Sequence, residues 1–232
     1  MGCVVVETFF ESNGALRVAT ARAGCADDAA SALPVAFERT TDDRFIACLS
    51  DGSGDAGDGI TASRVAARHA AGECARSRAS VPESIACALV SAHERVTDRA
   101  TGERGAACSA VLVVIEIHTG TLHVGWAGAL EAIVLRRGEV VHRTAPHFFA
   151  PELVAVASGR APGVDLAGPW LTQPGDLLLL CSAKVHHALS EADVSALASR
   201  DDLAVIVRGL VTTTATRGDF AELHAVAIRL NA

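Results

Sequence analysis

The chain has 232 residues, 50% of them hydrophobic, so it can bury a core as one large domain or as two small ones. Its 20 basic and 27 acidic residues give a formal net charge of −7 without any basic run, which argues against a nucleic-acid partner because such surfaces need clustered Lys or Arg. The start lacks the basic region of a signal peptide and no apolar run approaches about 20 residues, so we expect a cytoplasmic protein with no membrane partner.

The seven cysteines and nine histidines form no metal-binding pattern. The cysteines stand singly, with no C-x-x-C pair, and the histidines form no H-E-x-x-H motif. We therefore expect the cysteines to be small buried hydrophobic residues in a reducing compartment, and we expect no zinc site.

The first half of the chain begins with β-branched segments separated by Gly or Asp/Asn clusters and then becomes rich in alanine. The β-branched segments predict strands, and the alanine-rich part predicts two helices. The second helix starts with a capping box in which Ser80 is the cap and Glu83 reaches back to it. The predicted strands span 3–9, 15–21, 35–38 and 44–49, and the predicted helices span 60–78 and 80–100.

The second half returns to strands joined by hairpin-length turns, which indicates an antiparallel meander. A looser Pro/Gly segment, 146–174, follows the meander. The whole order of elements predicts an α+β fold of two packed antiparallel sheets with helices outside, and the lack of an internal repeat or linker favours a single domain, 1–232. The predicted strands span 109–117, 121–127, 130–135, 139–143, 177–181 and 223–230, and the predicted helices span 190–199 and 202–216.

The run DGSGDAGDG, 51–59, follows an apolar strand and precedes a helix. A carboxylate at a strand end, in a glycine-rich stretch, lets bare backbone approach an ion or a phosphate closely. A helix-loop-helix calcium site is excluded, since its sixth position is Ala56 instead of glycine and its twelfth is Ala62 instead of glutamate. The alternative to a binding site is a solvated glycine turn that carries acidic residues.

This run belongs to a longer match, LSDGSGDAGDGITASRVAARHA, which resembles the strand, Asp-Gly, glycine loop and helix of the metal-dependent PPM phosphatases, the protein phosphatase type 2C family. Three weaker matches follow in the family's order, at 120–144, 174–190 and 217–230. The chain therefore resembles this family along nearly its whole length. The resemblance implies an α-β-β-α sandwich of two antiparallel sheets flanked by helices.

The resemblance also implies a two-metal site at one end of the sheets, where Mg²⁺ or Mn²⁺ would activate a water for attack on phosphoserine or phosphothreonine. On this pattern Asp51 would bridge both metals, the carbonyl of Gly52 would be a second ligand, and Arg22 would hold the phosphate. The family's N-terminal acid matches Asp27 or Asp28. Two registers are possible, and a slip of one residue in an extended segment reverses which side chain faces the site.

Three family carboxylates are missing from this sequence. Ala183 stands in the Ser-Asp-Gly motif and is followed by Lys184, Ala221 stands in the terminal Asp-Asn pair, and Ala129 stands in the Gly-Asp-Ser-Arg hairpin. Two acidic residues close to the terminal position are candidate substitute ligands, namely Asp219 and Glu222. The sequence thus predicts one or two metal ions that are bound weakly or not at all, because hard cations need anionic oxygen ligands.

Two functions remain open on this evidence, and no single residue is assigned a catalytic role. The first is a pseudophosphatase that binds or regulates a phosphoprotein or a kinase of a signalling pathway. The second is an active protein serine/threonine phosphatase that uses substitute metal ligands. A third interpretation, an unrelated β-sandwich that imitates the motifs, predicts a different topology.

Overall fold

The computed structural model describes residues 3–10, 15–24, 34–53, 58–97, 107–147, 163–218 and 223–231. These residues form eleven strands and five helices. They divide into two compact units, each made of separate stretches of the chain. The first unit comprises Met1–Leu33, Glu131–Thr144 and Thr172–Ala232, and the second comprises Pro34–Leu130 and Ala145–Leu171.

The first unit holds a six-stranded sheet with the strand order β1-β2-β11-β10-β7-β8. Strand β1 pairs with β2, β2 with β11, β11 with β10 and β7 with β8, and each of these pairs is antiparallel. Its strands are β1 (Cys3–Phe10), β2 (Leu16–Gly24), β7 (Leu130–Arg136), β8 (Glu139–Arg143), β10 (Leu177–Ser182) and β11 (Leu223–Leu230).

Three helices accompany this sheet: α3 (Ala183–Ala188), α4 (Glu191–Ala198) and α5 (Leu203–Arg217). The apolar face of α5, which includes Ile206 and Leu210, is buried in one cluster with the alternate residues of β2 and β11. Burial of this face stabilises the unit, since each fully buried aliphatic side chain contributes about 1.5–3 kcal/mol.

The second unit holds a five-stranded antiparallel sheet with the order β3-β4-β5-β6-β9, packed against two helices. Fully buried alanines on α1 leave only short side chains between that helix and the sheet, which allows the two to pack closely. The strands are β3 (Val35–Arg39), β4 (Arg44–Ser53), β5 (Ala107–Glu116), β6 (Thr121–Ala127) and β9 (Asp165–Leu171), and the helices are α1 (Asp58–Arg76) and α2 (Val81–Thr97).

The predicted fold class is confirmed: the chain forms two antiparallel sheets flanked by helices. The predicted single meander is wrong, because β6 and β7 lie in different sheets and the chain changes sheet at the Gly128–Ala129 turn. Two elements were not predicted. They are β9, which falls inside the expected loose segment, and α3, which directly follows β10. The single domain stays a prediction.

None of the helices that the structure describes is both long enough and apolar enough to cross a membrane.

Candidate functional site

Asp51 lies near the end of β4, two residues after the fully buried Leu49. In the register of the second sheet Asp51 is opposite Ser109 and Gly52 is opposite Cys108. Both Asp51 and Gly52 are half-buried. The strand continues to Ser53, so Asp51 belongs to a paired strand and not to the glycine loop that follows. This pairing fixes the direction of the backbone at the predicted ligand residues.

Gly52 lies against the first turn of α1. A Cβ atom at Gly52 would lie 2.0 Å from the carbonyl oxygen of Gly59, a distance that only a glycine permits. The glycine at position 52 therefore lets the helix start directly beside the strand that carries Asp51. The predicted close approach of this backbone to an ion or a phosphate stays a prediction.

A second turn joins this site through the hydroxyl of Ser109. The backbone N–H of Ala129 donates a hydrogen bond to Ser109 Oγ over 3.0 Å, and a Cβ at Gly128 would lie 2.3 Å from the same oxygen. Gly128 has a φ of +86°, which also favours glycine. Because Ser109 is opposite Asp51 in the sheet, the structure brings Asp51, Gly52 and Ala129 to one end of the second unit.

His147 makes two hydrogen bonds with Gly128 of the same turn. The Gly128 N–H donates to His147 Nδ1 over 3.2 Å, and the His147 N–H donates to the Gly128 carbonyl over 3.0 Å. Since Nδ1 accepts, the proton lies on Nε2, which donates to the Asp165 carboxylate over 3.0 Å. Sequence reasoning did not identify Ser109 or His147, because both act on residues about 20 positions away and show no local motif.

The charge of Asp51 acts on the neighbouring thiol of Cys108. Burial raises the pKa of Cys108 to about 11, a hydrogen bond with Ser50 opposes that rise, and the Asp51 carboxylate adds to it. The hydroxyl of Ser50 itself donates to the carbonyl of Ser109 over 2.8 Å. Cys108 is therefore a neutral thiol near neutral pH and supplies no thiolate to the site.

In the first unit, Arg22 lies two residues before the end of β2, opposite Val5 on β1 and His224 on β11. The register of β11 with β10 places the next residue, Ala225, opposite Cys181, which precedes Ser182. The half-buried Arg22 and the buried His224 and Ser182 thus lie side by side on three neighbouring strands, at one end of the sheet. The Ser182 hydroxyl is buried and has no hydrogen-bond partner among the described residues.

Ala183 is the first residue of α3, directly after Ser182, with Lys184 next in the helix. Glu131, the fourth residue of the Gly-Asp-Ser-Arg match, is fully buried and pairs with Arg143 at 3.4 Å. The thiol of Cys181 also contacts this carboxylate at 3.7 Å. Burial, followed by the charge of Glu131, raises the pKa of Cys181 well above its usual value. The Glu131 carboxylate therefore already has partners inside the first unit.

The other predicted site residues lie outside the described residues: Asp27, Asp28, Asp219, Ala221 and Glu222. Within the part of the chain that the structure describes, no group of three His, Cys, Asp or Glu side chains could hold a metal ion. Around Asp51 the described donors are one carboxylate and the carbonyl of Gly52. This donor set does not fit a two-metal site, because each hard cation needs several anionic oxygens, and no metal-dependent step follows from it.

Solved structures of PPM serine/threonine phosphatases resemble the whole chain. MsPP from Mycobacterium smegmatis, solved with cacodylate, is 19% identical, with 99% of this chain and 98% of that chain covered and a TM-score of 0.65. The catalytic domain of PstP, solved with two manganese ions, is 14% identical with a TM-score of 0.68 over 100% and 99% of the two chains. PppA of Pseudomonas aeruginosa, described as a key regulatory component of the T6SS, is 18% identical with a TM-score of 0.62 over 99% and 97%.

No family model matches the sequence, and no curated protein sequence matches it. The likeness to solved structures therefore lies in the fold.

Proposed function

We propose that this chain, which has the fold of the PPM serine/threonine phosphatases, is a divergent form with reduced or lost phosphatase activity that binds or regulates phosphoproteins. One observation carries the proposal: alanine occupies three positions at which the family motifs have carboxylates, Ala129, Ala183 and Ala221, and at the last two of these the family has metal-binding aspartates. The Gly128–Ala129 turn keeps its hydrogen bond to Ser109, so the fold is retained around a position that lacks a ligand.

The loss of carboxylates lowers the affinity of the site for metal ions. Mg²⁺ and Mn²⁺ give up bound water only to anionic oxygens, and a catalytic pair of ions needs several carboxylates to balance its charge. Asp51, with Asp27 or Asp28, would hold one ion at most under this proposal. A single weakly bound ion would stabilise the charge of the transition state much less than a pair does.

Arg22 supports the binding half of the proposal. A guanidinium forms bidentate, charge-assisted hydrogen bonds with phosphoryl oxygens. Two further hydrogen-bond donors of the kind that phosphate accepts lie at the same end of the first sheet, namely His224 and the Ser182 hydroxyl. This chemistry fits a phosphoprotein or a kinase of a signalling pathway as the partner. It does not fit a nucleic acid.

The second candidate function is an active phosphatase that recruits substitute ligands. The retained Asp51 and Gly52, with α1 starting directly beside Gly52, favour it. Asp219 and Glu222 would then supply the missing oxygens, since the chain enters β11 directly after Glu222. Mg²⁺ or Mn²⁺ would be the cofactor under this alternative.

Calorimetric titration with MnCl₂ tests the proposal before any substrate is known. We expect one ion or none per chain, and we expect Asp51→Asn to abolish any binding that is seen. Two ions per chain, lost on Asp219→Ala or Glu222→Ala, would instead support the active enzyme. A phosphoserine peptide provides the second readout. Its binding should weaken in Arg22→Ala, and an Arg22-independent interaction would remove the support for the binding role.

A further inference from the structure

The outward face of α1 carries arginines along most of its length. Arg64, Arg68 and Arg76 follow each other at spacings of four and eight residues, which places them on one side of the helix. Arg64 and Arg68 line a cavity of about 240 Å³ together with Thr61 and Val65. Arg76 lines a second cavity, of about 530 Å³, at the C-terminal end of the same helix.

The second cavity adds arginines from the β3–β4 hairpin and from the residues after α1. Arg39 and Arg44 come from the hairpin, and Arg78 lies two residues beyond the helix. Two carboxylates, Glu38 and Asp42, also line this cavity. The two cavities together thus contain six arginines and two acidic residues, in a chain whose net charge is −7.

Half of these arginines already have acidic partners. Arg39 pairs with Asp43, Arg44 with Asp42 and Arg76 with Glu73. For Arg64, Arg68 and Arg78 the structure shows no ion pair with any described residue, and the Nε atom of Arg64 is buried without a hydrogen-bond partner. Among the described residues no acidic side chain therefore balances the charges of these three guanidinium groups, and carboxylates of another molecule can pair with them.

Gly72 lines the larger cavity together with Arg76 of the same helix. A glycine inside a helix costs about 1 kcal/mol relative to alanine, and its neighbours Ala70 and Ala71 show that alanine is accepted in this helix. A Cβ at Gly72 would lie 3.1 Å from Nη1 of Arg76, so the absence of a side chain lets that guanidinium fold back over the helix. The glycine therefore leaves room for the Arg76 guanidinium at the larger cavity.

We propose that this face of α1, together with the β3–β4 hairpin, is a docking surface for an extended acidic segment of another protein. Arg64 and Arg76 are twelve residues apart, or about 18 Å along the helix, which equals the length of about five or six extended residues. Carboxylates spaced along such a segment would reach Arg64, Arg68 and Arg78. The proposal does not depend on Arg22 or on a metal ion.

The two carboxylates in the larger cavity distinguish a peptide from a nucleic acid. A peptide can place an uncharged or basic residue opposite Glu38 and Asp42, whereas an oligonucleotide would bring a phosphate to every position along the surface. The net charge of −7 adds long-range repulsion against a polyanion of high charge density. An acidic protein segment therefore fits the charge pattern better.

Fluorescence anisotropy with a labelled peptide of about eight residues, rich in glutamate and free of phosphate, tests the proposal at about 50 mM NaCl. We expect saturable binding that weakens as salt is added. The variant Arg64→Ala/Arg68→Ala/Arg78→Ala should weaken binding about tenfold, since each exposed ion pair contributes about 0.2–1 kcal/mol. Because the peptide lacks phosphate, this result is independent of the phosphate-binding role proposed for Arg22.

The matched control removes three exposed arginines elsewhere, in Arg95→Ala/Arg200→Ala/Arg208→Ala, and should bind the peptide like the wild type. Equal loss in both triple variants would mean that only net charge matters and would overturn the proposal. So would failure of the wild type to bind at low salt. A labelled single-stranded oligonucleotide that binds more tightly than the peptide, and loses binding in the α1 variant, would assign the surface to nucleic acid instead.

Discussion

The hydroxyl of Ser109 accepts a hydrogen bond from the backbone N–H of Ala129 over 3.0 Å and thereby ties the β6–β7 turn to the strand opposite Asp51. Ser109 is 4% exposed, so water cannot readily replace it as the acceptor. The turn is thus held by the hydroxyl of Ser109 and does not need a carboxylate at position 129. The turn therefore forms with alanine at position 129, where the motif that this sequence resembles has an aspartate.

Ser109→Ala tests the importance of this contact. The substitution leaves the Ala129 N–H without an acceptor, so we expect a loss of about 1–3 kcal/mol in the free energy of unfolding, measured by urea denaturation. Thr119→Ala, which removes an exposed hydroxyl in a hairpin turn, is the control and should change stability by less than about 0.5 kcal/mol. Equal losses in the two variants would contradict the role given to Ser109.

Gly128→Ala tests the close packing of the same turn. Gly128 has a φ of +86°, and a Cβ there would collide with Ser109 Oγ at 2.3 Å. Gly138→Ala is a matched control, because Gly138 has a φ of +85° but no atom lies within 4 Å of its would-be Cβ. The control should lose about 1–2 kcal/mol from backbone strain alone. Gly128→Ala should lose about 1–3 kcal/mol more, and similar values for both would disprove the steric argument.

The sequence predicted the elements whose pattern is local and missed the contacts that are not. The bounds of β6, β8 and β11 are as predicted, because glycine turns or apolar runs define their ends. The strand β9 was missed, since it contains Gly168 and Pro169 and is mostly exposed, which removes both the propensity and the alternation of a strand.

In the candidate site, too, the residues with a local sequence pattern were predicted and those with distant partners were missed. The local sequence predicted that the strand ends at Leu49, just before Asp51, and in the structure the strand continues to Ser53, so Asp51 lies two residues before its end. Ser109 and His147 were missed because their partners, Ala129 and Gly128, are 20 and 19 residues away and only the tertiary fold brings them together. The roles of the predicted ligands stay predictions.

Arg136 and Asp176 form a bidentate pair that should stabilise the first unit more than an exposed pair does. The Nε and Nη2 atoms of Arg136 donate to the two Asp176 oxygens over 2.9 and 2.8 Å, and Asp176 is 1% exposed. Arg136→Ala leaves this buried carboxylate with a hydrogen bond from the Gln173 N–H, over 2.8 Å, but without its cation. We expect a clearly larger loss of stability than for Arg76→Ala, which breaks the exposed pair with Glu73.

Urea denaturation measures both losses, and Arg136→Lys should recover only part of the stability, because an ammonium cannot make two parallel hydrogen bonds. The double variant Arg136→Leu/Asp176→Asn should be more stable than Arg136→Leu alone, since it leaves no buried charge. If Arg136→Ala and Arg76→Ala cost the same, the burial of Asp176 does not strengthen this pair.

Protonation of Asp193 should lower the free energy of unfolding at acid pH. The Arg217 guanidinium, followed by the Ser190 hydroxyl and N–H, holds the pKa of Asp193 well below its usual value. The folded-state pKa is below the unfolded value of about 3.9. Ionised Asp193 therefore stabilises the fold above about pH 4, and this stabilisation is lost as the pH falls further. Asp193→Asn should therefore be less stable than the wild type at neutral pH, and the difference should shrink below about pH 4. Parallel stability curves down to about pH 2 would contradict this.

Catalysis provides the sharpest test of the proposed function. With Mn²⁺ and p-nitrophenyl phosphate, the wild type should turn over about 10²-fold or more slowly than a phosphatase such as MsPP, because lost metal charge raises the barrier by several kcal/mol. Ala183→Asp/Ala221→Asp should raise the rate, and Asp51→Ala in that background should remove the gain. A wild type that turns over rapidly and is inactivated by Asp51→Ala would overturn the loss of activity and imply substitute ligands, with Asp219 and Glu222 the first to mutate.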